Sequence, residues 1–286
     1  YELDMRSNTF FARAYVWLRW KGDVDPTKTL EFVNAVQEWD FLKEKLYDEP
    51  KVLEDGAFYQ IMRVEGRFFQ SFSMENFPLD QQKLSILVED ATNQAEAVSY
   101  VLDDKDSGLS DLLDTPGWTI SGWTGGSYLH RYSTNFGEDV KPGEHASAYS
   151  AIRFDVHIVR PPSYFIWKLF LPLVIVLCAA WVALLIKPTL IEVRTAMPAT
   201  SLLTTVFLQQ SYSSELPEVG HLVLLDKIYV VAYLLIVVTL VRVIVNKLDE
   251  DSDQAQIQQV RRHDRAILGV QALIFFAVSA WMVYAR

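Results

Sequence analysis

The sequence has a single cysteine among its 286 residues, Cys178. An intrachain disulfide is therefore impossible, and a small secreted fold held together by disulfides is excluded. Basic residues are also few, with 26 Lys and Arg against 36 Asp and Glu and a formal net charge of −10. A nucleic-acid-binding protein needs a basic stripe to neutralise phosphates, so that class is excluded as well.

Sequence signatures of catalysis are missing too. The five histidines lack metal-ligand spacing, and the sequence contains neither a nucleophile elbow nor a phosphate-binding loop. We therefore expect no enzymatic activity, no bound metal and no cofactor.

Long apolar runs are absent before Pro161 and frequent after it. Residues 1–160 mix short alternating segments with Gly, Pro, Asp and Asn, which is typical of a water-exposed β domain. Residues 161–286 contain segments of the roughly 20 apolar residues that a membrane-spanning helix needs. The sequence thus predicts two domains, an all-β sandwich over 1–160 and a four-helix transmembrane domain over 161–286, with helices at about 164–186, 192–212, 222–246 and 260–285.

The second predicted helix differs from the others because it is rich in Thr, Ser and Gln. Polar groups at membrane depth are costly unless they face protein or water, so this helix either lines an aqueous path or lies buried in a bundle. Short cytoplasmic loops are enriched in Lys and Arg. The first and third links between helices carry such residues and the link over 211–221 carries none. This pattern predicts that the β domain and the C-terminus lie outside.

Alternating residues in the β domain predict several short strands. Over 11–20, the alternation puts Tyr15, Trp17 and Arg19 on one strand face. Glu65-Gly66 and Gly125-Gly126 are interpreted as turns between strands. The spacing is typical of an immunoglobulin-like sandwich, with further strands predicted at 58–64, 68–74, 83–88, 97–102, 118–123, 128–132 and 149–159.

A short motif after the second of these strands suggests a family. The segment ENFPLDQQK over 75–83 resembles the signature loop of the pentameric ligand-gated ion channels, in which an aromatic residue, Pro, any residue and Asp follow one another. Phe77, Pro78 and Asp80 match that core. Animal receptors close the loop with two cysteines, whereas this sequence has Gln70 and Leu84, as in bacterial members.

Other matches to the family follow in order along nearly the whole chain. Arg160 stands where the family has its pre-membrane Arg, Pro172 lies within the first helix at the family spacing, and Leu216-Pro217 follows the second helix. The linker over 247–262 lacks the large cytoplasmic domain of animal receptors. The chain therefore resembles a bacterial-type subunit, which implies a homopentamer in the bacterial inner membrane with its β domain on the periplasmic or extracellular side.

The resemblance implies that the second helix lines the pore. At about 100° per residue the aligned positions fall within an arc of roughly 80°; they are Glu192, Ala196, Thr200, Leu203, Phe207 and Gln210. Five copies of Glu192 would form a carboxylate ring that favours monovalent cations, and Leu203 and Phe207 would form apolar constrictions. Arg194 lies about 200° from Glu192 around the helix, so we expect it to point toward neighbouring subunits or the cytoplasm.

The resemblance also implies two sites outside the pore. Coupling between the domains is expected at Asp4, Phe77, Pro78, Asp80, Arg160 and Pro217. An agonist is expected between subunits, beneath a hairpin tip over 134–146, at Tyr15, Trp17, Arg19, Tyr132, Phe136 and Tyr149. Aromatic faces suit an organic cation and Arg19 suits a carboxylate, and the stimulus is either such a small organic ligand or protons.

A membrane-anchored sensor is the alternative function. Its β domain would recognise a ligand, and its helices would only anchor it or signal to a partner. The polar second helix and its ring-forming spacing favour the channel.

Overall fold

The structure, a computed structural model, describes residues 2–134, 136, 147–248 and 252–285, without the side chain of Glu38. The chain divides into two compact units. The first comprises Tyr1–Phe72 and Gln81–Val159, and the second comprises Ser73–Asp80 and Arg160–Arg286.

Over the described residues, the first unit contains ten β-strands in two antiparallel sheets that form the predicted sandwich. One sheet has the order β1-β2-β7-β4, with β5 and β6 also paired to β7, and the other has the order β3-β8-β10-β9. The strands are β1 Leu3–Asp4, β2 Thr9–Trp20, β3 Leu30–Phe32, β4 Ala35–Val36, β5 Leu42–Lys45, β6 Lys51–Val52, β7 Phe58–Phe69, β8 Gln81–Asp90, β9 Thr119–Arg131 and β10 Ala148–Val159.

The first sheet is built around two long strands, β2 and β7. β2 and β7 pair over their full length, from Thr9 opposite Phe69 to Trp20 opposite Phe58. Alternate side chains point into the sandwich, where the buried rings of Phe10 and Phe68 stack with their centroids 5.5 Å apart. The alternation read from the sequence over 11–20 therefore corresponds to a half-buried strand.

The chain forms long strands through both glycine pairs that the sequence suggested as turns. β7 continues through Gly66, where a Cβ atom would lie 2.4 Å from Cδ2 of Phe41. β9 continues through Gly125, where a Cβ atom would lie 2.6 Å from Cδ2 of Leu102. The predicted breaks are wrong because each glycine makes room for a side chain that crosses the strand.

The predicted strand over 97–102 is also wrong. Tyr100 in this segment donates its backbone N–H to Ser150 Oγ at 2.7 Å and its hydroxyl to Asp90 at 3.2 Å. These side-chain acceptors replace a strand partner, so the segment is a loop packed on the second sheet.

The second unit contains four long helices: α1 Pro162–Val182, α2 Ile191–Ser213, α3 Leu224–Val245 and α4 Gln254–Tyr284. Among the described residues, α1, α3 and α4 are long and apolar enough to cross a membrane. Within α1 the stretch Phe165–Phe170 is π-helical, just before Pro172. Helix α2 is not among these apolar helices because it is rich in Thr, Ser and Gln, as expected from the sequence.

Two helix ends differ from the sequence-based ranges. α1 ends at Val182 rather than near 186, because the N–H groups of Ala183, Leu184 and Leu185 bond carbonyls three residues earlier and tighten the chain into a turn. α4 begins at Gln254 rather than near 260, so its first two turns are polar.

Candidate functional site

Helix α2 has two faces of opposite character. All six residues aligned with the family's pore are exposed on the single chain: Glu192, Ala196, Thr200, Leu203, Phe207 and Gln210. Leu203 and Phe207 are 57% and 64% exposed although both are large and apolar. A stripe of this kind along one helix is a surface suited to an assembly rather than to free solvent.

The opposite face of α2 is buried against the other helices. Its buried residues recur at helical spacing and include Arg194, Pro198, Ser201, Thr205 and Tyr212. The burial pattern thus separates the face bearing Glu192 from the packed face.

Three of the four threonines of α2 are hydrogen-bonded within the helix. Thr195, Thr204 and Thr205 each donate their hydroxyl to the carbonyl four residues earlier, at 2.8–2.9 Å. A hydroxyl bonded in this way needs no water or lipid partner. This arrangement lets a Thr-rich helix lie among apolar helices.

An ion cluster anchors the first turn of α2. Arg194 is fully buried, donates through Nη2 to Asp264 Oδ2 at 2.6 Å and through Nε to the Ala183 carbonyl at 2.9 Å. Arg242 donates to the other oxygen of Asp264 at 3.1 Å. The expectation that Arg194 points toward neighbouring subunits or the cytoplasm is therefore wrong, because a carboxylate on α4 holds it inside its own subunit.

A second carboxylate anchors the last turns of α2. Asp226 in the first turn of α3 accepts hydrogen bonds from the Tyr212 hydroxyl at 2.5 Å, from Gln209 Nε2 at 3.1 Å and from the Val223 N–H at 3.1 Å. Gln209 in turn accepts from the Tyr233 hydroxyl at 2.8 Å. Both ends of α2 are thus fixed to neighbouring helices by polar contacts, buried at Arg194 and partly buried at Asp226.

The signature loop packs against α2 and α3. The N–H groups of Leu224 and Leu225 donate to the carbonyls of Glu75 and Phe77, at 3.0 and 3.2 Å. The Phe77 ring stacks on that of Tyr212, with centroids 6.2 Å apart. These bonds explain why Ser73–Asp80 clusters with the helices although the sequence places it inside the predicted 1–160 domain.

The signature loop also holds the start of α1. Asp80 is 2% exposed, and its Oδ1 accepts from Arg160 Nε at 2.8 Å. The Arg160 guanidinium lies 5.0 Å from the centre of the Phe77 ring and 5.2 Å from that of Tyr164. Phe77, Asp80 and Arg160 therefore form one buried group, and Pro78 and Pro217 are buried in the same unit.

Asp4 lies in the first unit. Its carboxylate accepts from the Ser7 N–H at 3.1 Å within the turn between β1 and β2. Hydrogen bonds from the Ser7 side chain and backbone lower the pKa of Asp4. Asp4 is therefore ionised and engaged in its own turn at neutral pH.

Three of the proposed agonist-binding residues form an aromatic cluster at the ends of β9 and β10. The ring centroids of Tyr132 and Phe136 are 5.0 Å apart, those of Tyr132 and Tyr149 are 5.8 Å apart, and His130 lies 4.2 Å from Tyr132. Most of the hairpin tip predicted over 134–146, namely residues 135 and 137–146, lies outside the described residues. The cluster stands where that hairpin begins and ends.

A buried carboxylate lies under the aromatic cluster. Glu89 on β8 is 4% exposed and accepts from the Tyr132 hydroxyl at 2.8 Å, and His130 Nδ1 lies 2.5 Å from its other oxygen. Burial and the hydrogen bond to Glu89 raise the pKa of Tyr132. The arrangement combines electron-rich rings with negative charge, which suits an organic cation.

The other three proposed residues lie on β2, in the opposite sheet. Tyr15 is 59% exposed, and Trp17 donates its indole N–H to Asp103 at 3.2 Å. Arg19 donates to Asp55 at 2.8 Å, and hydrogen bonds from Arg19, from the Ala57 N–H and from Lys21 together lower the pKa of Asp55 to about 2. Because Lys21 also pairs with Asp55, at 3.2 Å, the two cations share one carboxylate.

Sequence reasoning missed four of these residues: Glu89, Asp226, Arg242 and Asp264. One signal was available for Asp226 and Asp264, since a carboxylate within or next to an apolar helix is costly unless it is paired. Glu89 had no comparable signal, because it lies beside Asp90 at the end of a strand and the sequence does not distinguish one carboxylate from the other.

An antiparallel β-sandwich followed by four helices, three of them apolar enough to span a membrane, is the architecture of an integral membrane protein. No family model matches the chain. A proton-gated ion channel of Gloeobacter violaceus is 21% identical over 99% of this chain and 80% of its own length.

Animal receptors match a smaller part. The gamma-aminobutyric acid receptor subunit beta of Caenorhabditis elegans is 25% identical over 62% of this chain. The pH-sensitive chloride channel 2 of Anopheles gambiae is 19% identical over 59% of it. The chain spans 30% and 27% of the lengths of these two relatives.

These relatives are all members of the pentameric Cys-loop receptor superfamily and are ion channels rather than enzymes. The chain is homologous to these superfamily members, and it lacks the loop cysteines.

Proposed function

We propose that the chain is one subunit of a homopentameric ligand-gated ion channel whose pore is lined by α2. The observation that carries the proposal is the exposed stripe from Glu192 to Gln210, which is turned away from the packed face of the same helix. Five copies around an axis would cover that stripe and enclose an aqueous path. The likeness to pentameric channels supports the number of subunits.

We propose that the channel prefers cations. Glu192 is the only acidic residue on the stripe, and a ring of five carboxylates at one mouth attracts cations. Similarity to the relatives does not decide whether the channel conducts cations or anions, because one relative is named a chloride channel and another a proton-gated ion channel. The proposal therefore rests on the position of Glu192 on the stripe, and on Arg194 being paired with Asp264 on the packed face of the helix.

We propose that the constriction lies at Leu203 and Phe207. Both side chains are large, apolar and exposed on the stripe. In a pentamer they would form successive apolar rings, which stop ions by dewetting when the path narrows.

For the stimulus, we propose a small organic ammonium compound bound at the aromatic cluster. The observation that supports this ligand is Glu89, a buried carboxylate that is hydrogen-bonded to Tyr132 beneath the aromatic rings. Arg19 argues less for a carboxylate ligand because its guanidinium is already engaged by Asp55, which it shares with Lys21. Tyr15, Trp17 and Arg19 would close the site from the neighbouring subunit. Protons are the second candidate stimulus, favoured by the likeness to a proton-gated channel over nearly the whole chain.

We propose that Asp4, Phe77, Pro78, Asp80, Arg160 and Pro217 couple the two domains. The stacking of Phe77 on Tyr212 and the Arg160–Asp80 pair support this proposal, since they join the signature loop to α1 and to the end of α2.

The location follows from the same proposal. We infer a bacterial inner membrane. Residues 1–160 and the C-terminus would lie on the periplasmic or extracellular side, and the four helices of residues 161–286 would span the lipid. The relative from Gloeobacter violaceus and the charge pattern of the links between helices support it.

The decisive test separates a channel from a membrane-anchored sensor. Purified protein in detergent should have the mass of five subunits, and in planar bilayers it should conduct when small primary amines or acidic solution are applied. A monomer or dimer that carries no current with any of these stimuli would instead favour the sensor.

A further inference from the structure

The cluster at the start of α2 joins three helices and one turn. Arg194 on α2 binds Asp264 on α4 and the Ala183 carbonyl after α1, and Arg242 on α3 binds the same carboxylate. Asp264 lies 70 residues from Arg194 in sequence. It belongs to a helix that contributes nothing to the proposed pore stripe.

Asp264 is the one charged side chain of its turn that points inward. Arg262, His263 and Arg265 are exposed and Arg261 is partly exposed, whereas Asp264 is fully buried. Beside the cluster, buried Ala183, Leu184 and Val243 pack with partly buried apolar side chains of α2 and α4. This apolar surrounding screens charge poorly, so each unmatched charge in it is costly.

The charges of the cluster do not cancel. Two guanidinium groups face one carboxylate, which leaves one formal positive charge. Arg194 Nη1 is buried and has no hydrogen-bond partner in the part of the chain that the structure describes. Asp264 is therefore the only carboxylate bonded to Arg194 there, and Arg242 shares it.

Arg194 and Glu192 lie on the same turn of α2. Because they are two residues apart, they point about 200° from each other. Fixing the guanidinium inside the subunit fixes the rotation of that turn and leaves Glu192 on the exposed stripe. It also keeps a positive charge away from the carboxylate that would form the ring.

We propose that Asp264 is a positioning residue for ion selectivity, which acts by holding Arg194 away from the permeation path. The proposal rests on the proposed channel function and on Glu192 as its selectivity ring. A helix that contributes nothing to the proposed pore stripe thereby sets the charge that an ion meets at the pore mouth.

The test compares Asp264→Asn with the double variant R194Q/D264N in reconstituted protein, using reversal potentials in a salt gradient. D264N releases the Arg194 charge and should lower the cation-to-anion permeability ratio about threefold or more. R194Q/D264N has no charge to release, so its ratio should return to within about twofold of the wild type. The matched control is D253N, which removes an exposed carboxylate from the start of the same helix.

An unchanged ratio in D264N, or a double variant no closer to the wild type than D264N, would overturn the proposal. A purely structural role of Asp264 predicts loss of assembled pentamer but no recovery of selectivity when Arg194 is removed. If D264N alone does not assemble, pentamers that mix wild-type and D264N subunits are measured. Their ratio should fall with the variant fraction, and a constant ratio would overturn the proposal.

Failure of the underlying function would look different. A wild type without cation preference that Glu192→Gln also leaves unchanged would contradict the Glu192 ring. The difference between D264N and R194Q/D264N would still report whether Asp264 holds the Arg194 charge. A wild type without any current would contradict both.

Discussion

Removing the charge of Asp80 should destabilise the helical unit by about 3 kcal/mol. Asp80→Asn keeps the side-chain shape but removes the carboxylate that pairs with the Arg160 guanidinium, whose side chain is 9% exposed. Breaking one partner of a buried ion pair typically costs about 3–5 kcal/mol. The rings of Phe77 and Tyr164 stabilise the Arg160 cation in part, which puts the expected cost at the lower end.

Denaturant unfolding in detergent, followed by tryptophan fluorescence, measures this cost. The matched control is Asp55→Asn, because the Arg19–Asp55 pair has the same 2.8 Å separation but side chains that are 59% and 40% exposed. Exposed pairs contribute about 0–1 kcal/mol, so the control should unfold nearly as the wild type does.

The double variant D80N/R160Q tests the cause. The double variant lacks both charges, so its loss of unfolding free energy should be smaller than the summed losses of the two single variants by at least about 1.5 kcal/mol. Equal stabilities of D80N and D55N, or strict additivity in the double variant, would show that the buried pair is not what holds the signature loop to α1.

Three further perturbations probe the gate, the ligand site and the sandwich. Leu203→Ser should wet the proposed constriction and give a resting leak in bilayer recordings; a silent, normally activated channel would contradict the gate. Glu89→Gln should weaken activation by small primary amines about tenfold, and an unchanged dose-response curve would exclude the proposed role of Glu89. Burial raises the pKa of Asp90, but hydrogen bonds from Thr29 and from the backbone of Asn93 and Thr92 outweigh it, so the net pKa lies below the ordinary 3.8. The stability that Asp90 contributes is therefore present above that pH and is lost as pH falls through the lower, folded-state pKa. Asp90→Ala should lower the unfolding temperature clearly at pH 7 and less at pH 3; an equal loss at both would contradict this linkage.

Patterns that depend on near neighbours along the chain could be predicted from the sequence. The alternation over 11–20 predicts a strand because each side chain's face follows from a period of two. The apolar runs after Pro161 predict helices because length and hydropathy alone decide whether a segment can span a membrane. The stripe of α2 was chosen by the family resemblance, and its helical period only agrees with that choice, because Ser201, Thr204 and Thr205 place polar side chains on other faces too.

Features that depend on distant residues could not be predicted. Nothing near Arg194 in sequence indicates that Asp264 holds it, since the pairing exists only once α2 and α4 are packed together. Gly66 and Gly125 look like turn residues until Phe41 and Leu102 are seen to cross their strands. In both cases a contact from another element overrides the local preference.

The most direct test of the account is the ion preference of the purified protein before and after Glu192→Gln. With potassium chloride at different concentrations on the two sides of a bilayer, the wild type should reverse near the potassium equilibrium potential. E192Q should reverse closer to zero or conduct less, because it removes five negative charges from one mouth of the path. The matched control E96Q, an exposed glutamate of the β domain, should behave as the wild type does. A wild type that reverses near the chloride potential, or an E192Q variant with unchanged reversal potential and conductance, would contradict a cation pore lined by α2 with Glu192 at its mouth.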